Sequence, residues 1–133
     1  MARRLLLVAA IALLAAPPPA LAAGPAYAFG REGGNIRPFT VTIAHDGQVL
    51  VSGAVTVGGT HITAAELTTL TATAARARFS TLPTTTVCPG TLPDVAATWI
   101  RAGSRTVRVH GSCSARFTRV WNALAAAVHL SYG

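Results

Sequence analysis

The fold is decided by residues 88–113, CPGTLPDVAATWIRAGSRTVRVHGSC, which contain both cysteines of the chain. Two runs with strand character, residues 95–102 and 105–110, flank the pair Gly103-Ser104. Gly at the first position of a two-residue link favours a type II′ hairpin turn. Successive residues of a strand point to opposite faces of the sheet, so the apolar residues Ile100, Val107 and Val109 are predicted to face the core. The stretch is therefore predicted to form a β-hairpin.

The two cysteines bracket this hairpin, because Cys88 precedes it and Cys113 follows it. In an exported chain an even number of cysteines favours a disulfide. The alternatives are a reactive thiol or a metal ligand, but neither cysteine belongs to a C-x-x-C or to a His/Cys cluster with ligand spacing. We predict a Cys88–Cys113 bond. Closing a loop of about 26 residues in this way stabilises the fold by about 3–4 kcal/mol.

Residues 1–23 predict a secretory signal peptide. Arg3 and Arg4 form a basic start, residues 5–16 form an apolar run, and Ala20-Leu21-Ala22 has the A-x-A pattern of a cleavage site. The apolar run is shorter than the roughly 20 residues that a membrane-spanning helix needs. The sequence thus predicts a secreted, extracellular product without membrane attachment after cleavage, and a single domain over residues 24–133.

The charge pattern argues against nucleic acid as a partner. All 11 basic side chains are arginine, and two lie in the predicted signal peptide, which leaves nine against four acidic residues and a net charge of +5. The arginines are scattered singly, without a basic run or interleaved aromatic residues. A positive field of this kind instead favours association with an acidic partner surface.

Residues 25–57 predict a short strand followed by a hairpin. The segment PAYAFGR places Tyr27 and Phe29 on one face of the first strand. The next strand alternates cleanly from Phe39, and Asp46-Gly47 is a strong hairpin signal before the return strand at Val49. Gly53 lies inside this return strand and is predicted to mark a bulge.

Two helices follow from capping and periodicity. Thr63 and Glu66 form a capping box for a helix that is predicted to end near Arg78. Ser114 can cap the last helix, whose apolar stripe is Phe117, Val120, Trp121, Leu124 and Val128. Residues 129–133 are predicted to fray.

The order of elements is therefore strand, strand, strand, helix, strand, strand, helix. Strand runs with short hairpin links, interrupted by helices, predict an α+β fold. We expect an antiparallel sheet of about five strands with both helices packed on one face and one disulfide.

The sequence contains no recognisable catalytic motif. There is no G-x-S-x-G nucleophile elbow, H-E-x-x-H or P-loop, and the four histidines are isolated from one another. The four acidic residues are spread along the chain without visible pairing. The sequence thus predicts no enzyme activity, no catalytic residue, no metal site and no cofactor.

Several features recur in the order found in one known family. They are Gly33-Gly34 ahead of the first long strand, an acidic-leucine pattern at Glu66 and Leu67, Pro93-Asp94 before a strand, and an amphipathic last helix. Over residues 29–128 the chain resembles the emfourin family of small protein inhibitors of thermolysin-like metalloproteases. Thr98 stands where the family usually has an aromatic residue, with Trp99 one position later.

The resemblance implies an inhibitor of an extracellular protease that acts by occlusion. An inhibitor needs a rigid scaffold and a presented loop, since preorganisation lowers the ordering cost of binding. The candidate partner-binding residues lie in two loops, 32–37 and 84–93, and in the adjoining Asp94: Gly33, Gly34, Asn35, Thr84, Thr85, Thr86, Pro93 and Asp94. In the alternative interpretation both loops are connectors. The position of Asp94 after Pro93 favours a side-chain cap of the turn that launches a strand over a partner-binding role. The alternative function is an extracellular or cell-envelope binding module without inhibitory activity.

Overall fold

A computed structural model describes residues 24–133, and the predicted signal peptide, residues 1–23, lies outside the described residues. The described chain has eight strands and two α-helices. The strands are β1 (Tyr27–Glu32), β2 (Phe39–Ile43), β3 (Val49–Gly53), β4 (Val55–Thr56), β5 (Thr85–Val87), β6 (Ala97–Ala102), β7 (Arg105–His110) and β8 (Ser131–Tyr132); the helices are α1 (Ala64–Arg76) and α2 (Ala115–Ala127). This confirms the α+β class.

The main sheet has six strands in the order β3-β2-β1-β6-β7-β5. The two predicted hairpins, β2–β3 and β6–β7, lie on either side of β1, which pairs antiparallel with both β2 and β6. Strand β5 pairs with β7 in parallel, so the sheet is mixed and the prediction of a purely antiparallel sheet of about five strands is wrong. The sequence predicts a loop at residues 84–86, because a run of threonines lacks the apolar alternation of a strand. Their extended conformation depends on pairing with β7.

The core lies on one face of the main sheet. Register places Phe29 between Val41 and Ile100, and all three side chains are fully buried. Val107 and Val109 on β7 are buried as well, which confirms the predicted inward face of the hairpin at residues 88–113. Since residues two apart on a strand share a face, the apolar alternation of the sequence generates this core directly.

Both helices cover this face. The Tyr27 and Thr71 hydroxyl groups are hydrogen-bonded at 3.0 Å, which joins β1 to α1. Two residues along β1, Phe29 packs edge-on against Trp121 of α2 with ring centroids 5.3 Å apart. Trp121, predicted to be in the core, is buried.

A second, two-stranded sheet formed by β4 and β8 completes the covering layer. Gly53 has a φ of +97° and ends β3, so the return strand of the first hairpin breaks into β3 and β4. Residues 55–56 pair with residues 131–132, and the Tyr132 ring packs on Phe39 at 5.9 Å. The predicted fraying of residues 129–133 is therefore wrong, because a strand distant in sequence pairs with them.

The helix caps follow the sequence. The Glu66 N–H donates to the Thr63 hydroxyl at 3.1 Å, and the Thr63 N–H donates to the Glu66 carboxylate at 2.7 Å, as a capping box requires. The backbone N–H of Thr63 first, and the Thr63 hydroxyl second, stabilise the Glu66 carboxylate and hold the pKa of Glu66 below its ordinary value. Helix α1 ends at Arg76, and Arg78 then adopts a left-handed conformation with φ of 52°. In residues 24–133 neither helix is long and apolar enough to cross a bilayer.

Candidate functional site

The strand directions bring three connecting segments to one end of the main sheet. Glu32 at the end of β1 lies opposite Ala97 at the start of β6, and Ala97 also lies opposite His110 at the end of β7. Val87, at the end of the parallel strand β5, is beside His110. The segments 33–37, 88–96 and 111–113 therefore meet at this end, which we call the disulfide end.

The disulfide ties two of these segments together. Cys88 and Cys113 are bonded with their Cα atoms 5.6 Å apart, which confirms the predicted bond. The Cys113 N–H also points to the Cys88 sulfur at 2.9 Å, and Cys88 is buried. Gly111 has a φ of +99°, and a Cβ there would lie only 2.6 Å from the Cys88 Cβ. The start of the 88–96 segment is thus held against the corner that leads into α2.

The third segment, residues 33–37, packs against the 88–96 segment through backbone contacts. Gly34 has a φ of +59°, and a Cβ at this position would collide with the Asp94 carbonyl oxygen and lie 2.7 Å from the Ala96 nitrogen. The Asn35 N–H donates to the same Asp94 carbonyl at 3.1 Å, and the Asn35 amide approaches the Asp94 carboxylate at 3.5 Å. Gly34, Asn35 and Asp94, three predicted site residues, therefore lie together, and Pro93 adjoins them in the chain.

Asp94 and Gly33 have different surroundings at this site. The sequence favours Asp94 as a side-chain cap of its own turn. In the structure its side chain approaches Asn35, and the turn closes through the Val95 N–H, which donates to the Leu92 carbonyl at 3.1 Å. Gly33 has a φ of +70°, but nothing lies within 4 Å of a Cβ built there, so it faces open space.

Thr84, Thr85 and Thr86 are not brought to the same place. They lead into and form β5 at the sheet edge, two strands beyond β6, whereas the Gly34 segment follows β1. The Arg108 N–H donates to the Thr84 carbonyl at 2.9 Å, so this segment is part of the sheet ladder. The prediction of a presented loop across residues 84–86 is wrong. The part that projects begins only after Val87.

Four exposed apolar side chains mark the disulfide end: Ile36, Val87, Leu92 and Val95. Leu92 is 63% exposed and Val87 is 66% exposed, although both are aliphatic. Apolar side chains grouped at the surface and surrounded by polar residues are typical of interaction sites. Sequence analysis did not single these residues out because they lie in or beside connecting segments, where no periodicity indicates their exposure.

The electrostatics of this end are modest. The Arg108 guanidinium and the Glu32 carboxylate form an ion pair at 2.5 Å on the face opposite the helices, and both side chains are about half exposed. Exposed pairs of this kind contribute about 0–1 kcal/mol. One imidazole nitrogen of His110, Nε2, contacts the Val95 carbonyl oxygen, which ties the 88–96 segment to β7.

Arg31 is a further charged residue that the sequence interpretation missed. It continues the row of Tyr27 and Phe29 on the helix-covered face of β1, where it pairs in register with Phe39 and Thr98. Its guanidinium carbon lies 5.7 Å from the Trp121 ring centroid and 5.1 Å from that of Tyr132. The signal was the alternation itself, since extending the Tyr27–Phe29 row by two residues places an arginine on the core side.

Neither a metal centre nor a known relative identifies this surface. Within the described range, no three His, Cys, Asp or Glu side chains are grouped so that they could hold a metal ion. No known family model, curated protein or solved structure matches the sequence. The disulfide end and the surface around Arg31 are therefore the two regions whose geometry bears on function.

Proposed function

We propose that this protein is a secreted binding domain that docks onto a partner protein through its disulfide end and inhibits an extracellular metalloprotease by occlusion. The observation that carries this proposal is the packing of the 33–37 segment on the 88–96 segment, which the disulfide holds at its start. These two segments present exposed apolar side chains. The Asn35–Asp94 bond and the Cys88–Cys113 bond hold the segments that present Leu92 and Val95. A surface ordered in advance loses little conformational entropy on binding.

Two motifs that resemble the emfourin family lie at the disulfide end, which supports its assignment as the docking surface. Gly33-Gly34 and Pro93-Asp94 are distant in sequence, and Asn35 and Asp94, the pair that bonds, are 59 residues apart. In the fold they form one contact, with the Gly34 backbone against the Asp94 carbonyl. Two of the features that carry the resemblance therefore shape the disulfide end.

Inhibition by occlusion requires that the inhibitor survive its target. A protease cleaves a loop after the loop has opened locally and become extended in its active site. The 88–96 segment is tied at its start by the disulfide and near its end by Asn35 and His110. These ties oppose local opening and slow cleavage of the presented segment.

Titration of thermolysin with the purified, oxidised protein tests the proposal. We expect stoichiometric loss of peptidase activity at micromolar inhibitor, with the inhibitor remaining intact on a gel. Leu92→Asp should weaken inhibition by roughly tenfold or more, because a charge in a buried apolar contact is costly. Leu50→Asp is the matched control, since Leu50 is similarly exposed (58%) but lies on the edge strand β3, away from the disulfide end.

Two outcomes would contradict the proposal. Full peptidase activity in the presence of intact protein would exclude inhibition of that enzyme class. Equal effects of the Leu92 and Leu50 variants would place the contact elsewhere. In the first case the alternative function, an extracellular or cell-envelope binding module without inhibitory activity, takes precedence.

A further inference from the structure

We propose that a cavity between Arg31, Arg37 and the C-terminal strand β8 is a binding site for an oxyanion, a carboxylate or phosphate, carried on an apolar body. We call it the Arg31 cavity. It has a volume of about 270 Å³ and is lined by Arg31, Ile36, Arg37, Phe39, Ala54, Tyr132 and Gly133. It adjoins the 33–37 segment, but the inference does not rest on protease inhibition.

The placement of Arg31 is unusual for a charged side chain. It lies on the helix-covered face of the central strand, in a row whose other members are the buried Tyr27 and Phe29. The rings of Trp121 and Tyr132 flank its guanidinium, and such rings attract a cation while leaving its N–H groups free to donate. The aromatic contacts therefore orient the charge without using its hydrogen-bonding capacity.

One of these donors is buried and has no partner. The Arg31 Nε is shielded from solvent and makes no hydrogen bond to any residue in the 24–133 range. Buried polar groups in folded proteins are almost always paired, and a bound ion or water is one explanation of an exception. Arg31 lines the cavity, and the planar fork of a guanidinium matches an oxyanion in geometry.

The protein supplies no acidic side chain to neutralise this arginine. Glu32 pairs with Arg108, and the Asp46 carboxylate accepts from the Gln48 N–H. Glu66 caps α1, and the Asp94 carboxylate faces Asn35. All four acidic side chains of the described domain are therefore engaged away from Arg31.

Two cavities border Arg31, and their linings distinguish them. The one on the Trp121 side, of about 220 Å³, adds neutral polar residues such as Thr98, Ser112 and Asn122. The Arg31 cavity adds a second guanidinium, that of the exposed Arg37, together with the apolar walls of Ile36 and Phe39. Two cations beside apolar walls are suited to an anionic group joined to an apolar or aromatic body.

The test is NMR titration of the folded, oxidised protein, with the Arg31 Nε–Hε signal as the readout. The four probes are 3-phenylpropionate, phenyl phosphate, the neutral isostere 3-phenylpropionamide, and acetate. We expect a saturable shift of this signal with one or both aromatic anions, weaker binding of acetate and none of the amide. The first two probes decide whether carboxylate or phosphate is preferred. Added salt should weaken binding, because charge attraction contributes to it.

Matched variants locate the site, and their affinities are followed through backbone amide shifts because Arg31→Gln has no Nε–Hε signal. Arg31→Gln should weaken binding by about tenfold or more, because a charge-assisted bidentate contact is lost. Arg37→Gln should have a smaller effect, whereas Arg119→Gln, which removes an exposed arginine of α2 outside the cavity, should leave affinity unchanged. Binding of the amide as tight as that of the carboxylate would overturn the proposal, and so would equal effects at Arg31 and Arg119 or no Nε shift with any anion.

Discussion

The two ends of the main sheet are built in different ways. At the turn end, opposite the disulfide end, the connections are short and closed by local bonds: the Gly47 N–H donates to the Ala44 carbonyl, and the Gln48 N–H donates to the Asp46 carboxylate. Gly103 has a φ of +59°, as the first position of a type II′ turn requires. At the disulfide end, residues 59 and 25 positions apart hold each other. Local chemistry builds the first end, and long-range contacts build the second.

This difference also separates the exposed apolar side chains. None of the turn residues 44–48 and 103–104 has a large exposed apolar side chain, whereas the disulfide end presents Ile36, Leu92 and Val95. A locally determined turn needs only polar and glycine residues. A surface organised by distant contacts can keep apolar side chains in fixed positions, which is what a docking site requires.

The largest effect should come from removing the disulfide. Cys88→Ala should lower the free energy of unfolding by about 3–4 kcal/mol and the Tm by roughly 10–20 °C, because the unfolded chain gains freedom. Calorimetry measures the Tm, and hydrogen exchange should show faster opening of residues 89–95 than of residues 44–48. The wild-type protein with reductant should melt like the variant. Equal melting of the variant and the oxidised wild-type protein would mean that the bond has no stabilising role.

A pair of glycine variants isolates the loop contact. Gly34→Ala should cost about 2–4 kcal/mol, because a Cβ there collides with the Asp94 carbonyl in addition to the penalty of a positive φ. Gly33 has a φ similar to that of Gly34 but open surroundings, so Gly33→Ala should cost only about 1 kcal/mol. Chemical denaturation measures both. Equal costs would show that the positive φ alone, and not the close approach to Asp94, determines the cost of replacing either glycine.

The smallest effect concerns the capping box, which is held beside the 44–48 turn by the Ile62 N–H donating to the Gly47 carbonyl. The Thr63 N–H lowers the pKa of Glu66. The stabilising contribution of the ionised Glu66 carboxylate is therefore fully present above the ordinary carboxyl pKa of about 4.3, and it is lost as pH falls through the lowered pKa. Glu66→Gln keeps a side-chain acceptor but does not titrate. The Tm difference between wild type and this variant should therefore shrink on acidification, and a constant difference from pH 6 to about pH 3 would contradict the role of the carboxylate.

Much of the fold was accessible from local patterns. The alternation at Phe39 to Ile43 and at Arg105 to His110, the turn at Gly103 and the capping box at Thr63 are all as predicted. Each depends on residues within a few positions of one another. The pairing of β5 with β7 and of β4 with β8 was not predicted, because Thr85–Val87 and Ser131–Tyr132 become strands only when a distant partner supplies the hydrogen bonds.

The candidate site divides along the same line. Sequence reasoning selected Gly34, Asn35 and Asp94, which do meet, but it also selected Thr84, Thr85 and Thr86, which lie on the sheet edge. It missed Leu92 and the Arg31 cavity. Whether a loop residue is exposed, paired or pressed against another loop depends on which segments lie next to it in space.

The sequence by itself determined the hairpins, the caps, the apolar face and the pair of cysteines, because these follow from backbone preferences and from periodicities of two and 3.6 residues. The tertiary structure alone decided that β1 lies between the two hairpins, that Gly34 presses on Asp94, and that Arg31 lies between two rings. Contacts between residues far apart in the chain are selected by the packing of the whole domain. No local pattern encodes that packing, and both the disulfide end and the Arg31 cavity depend on it.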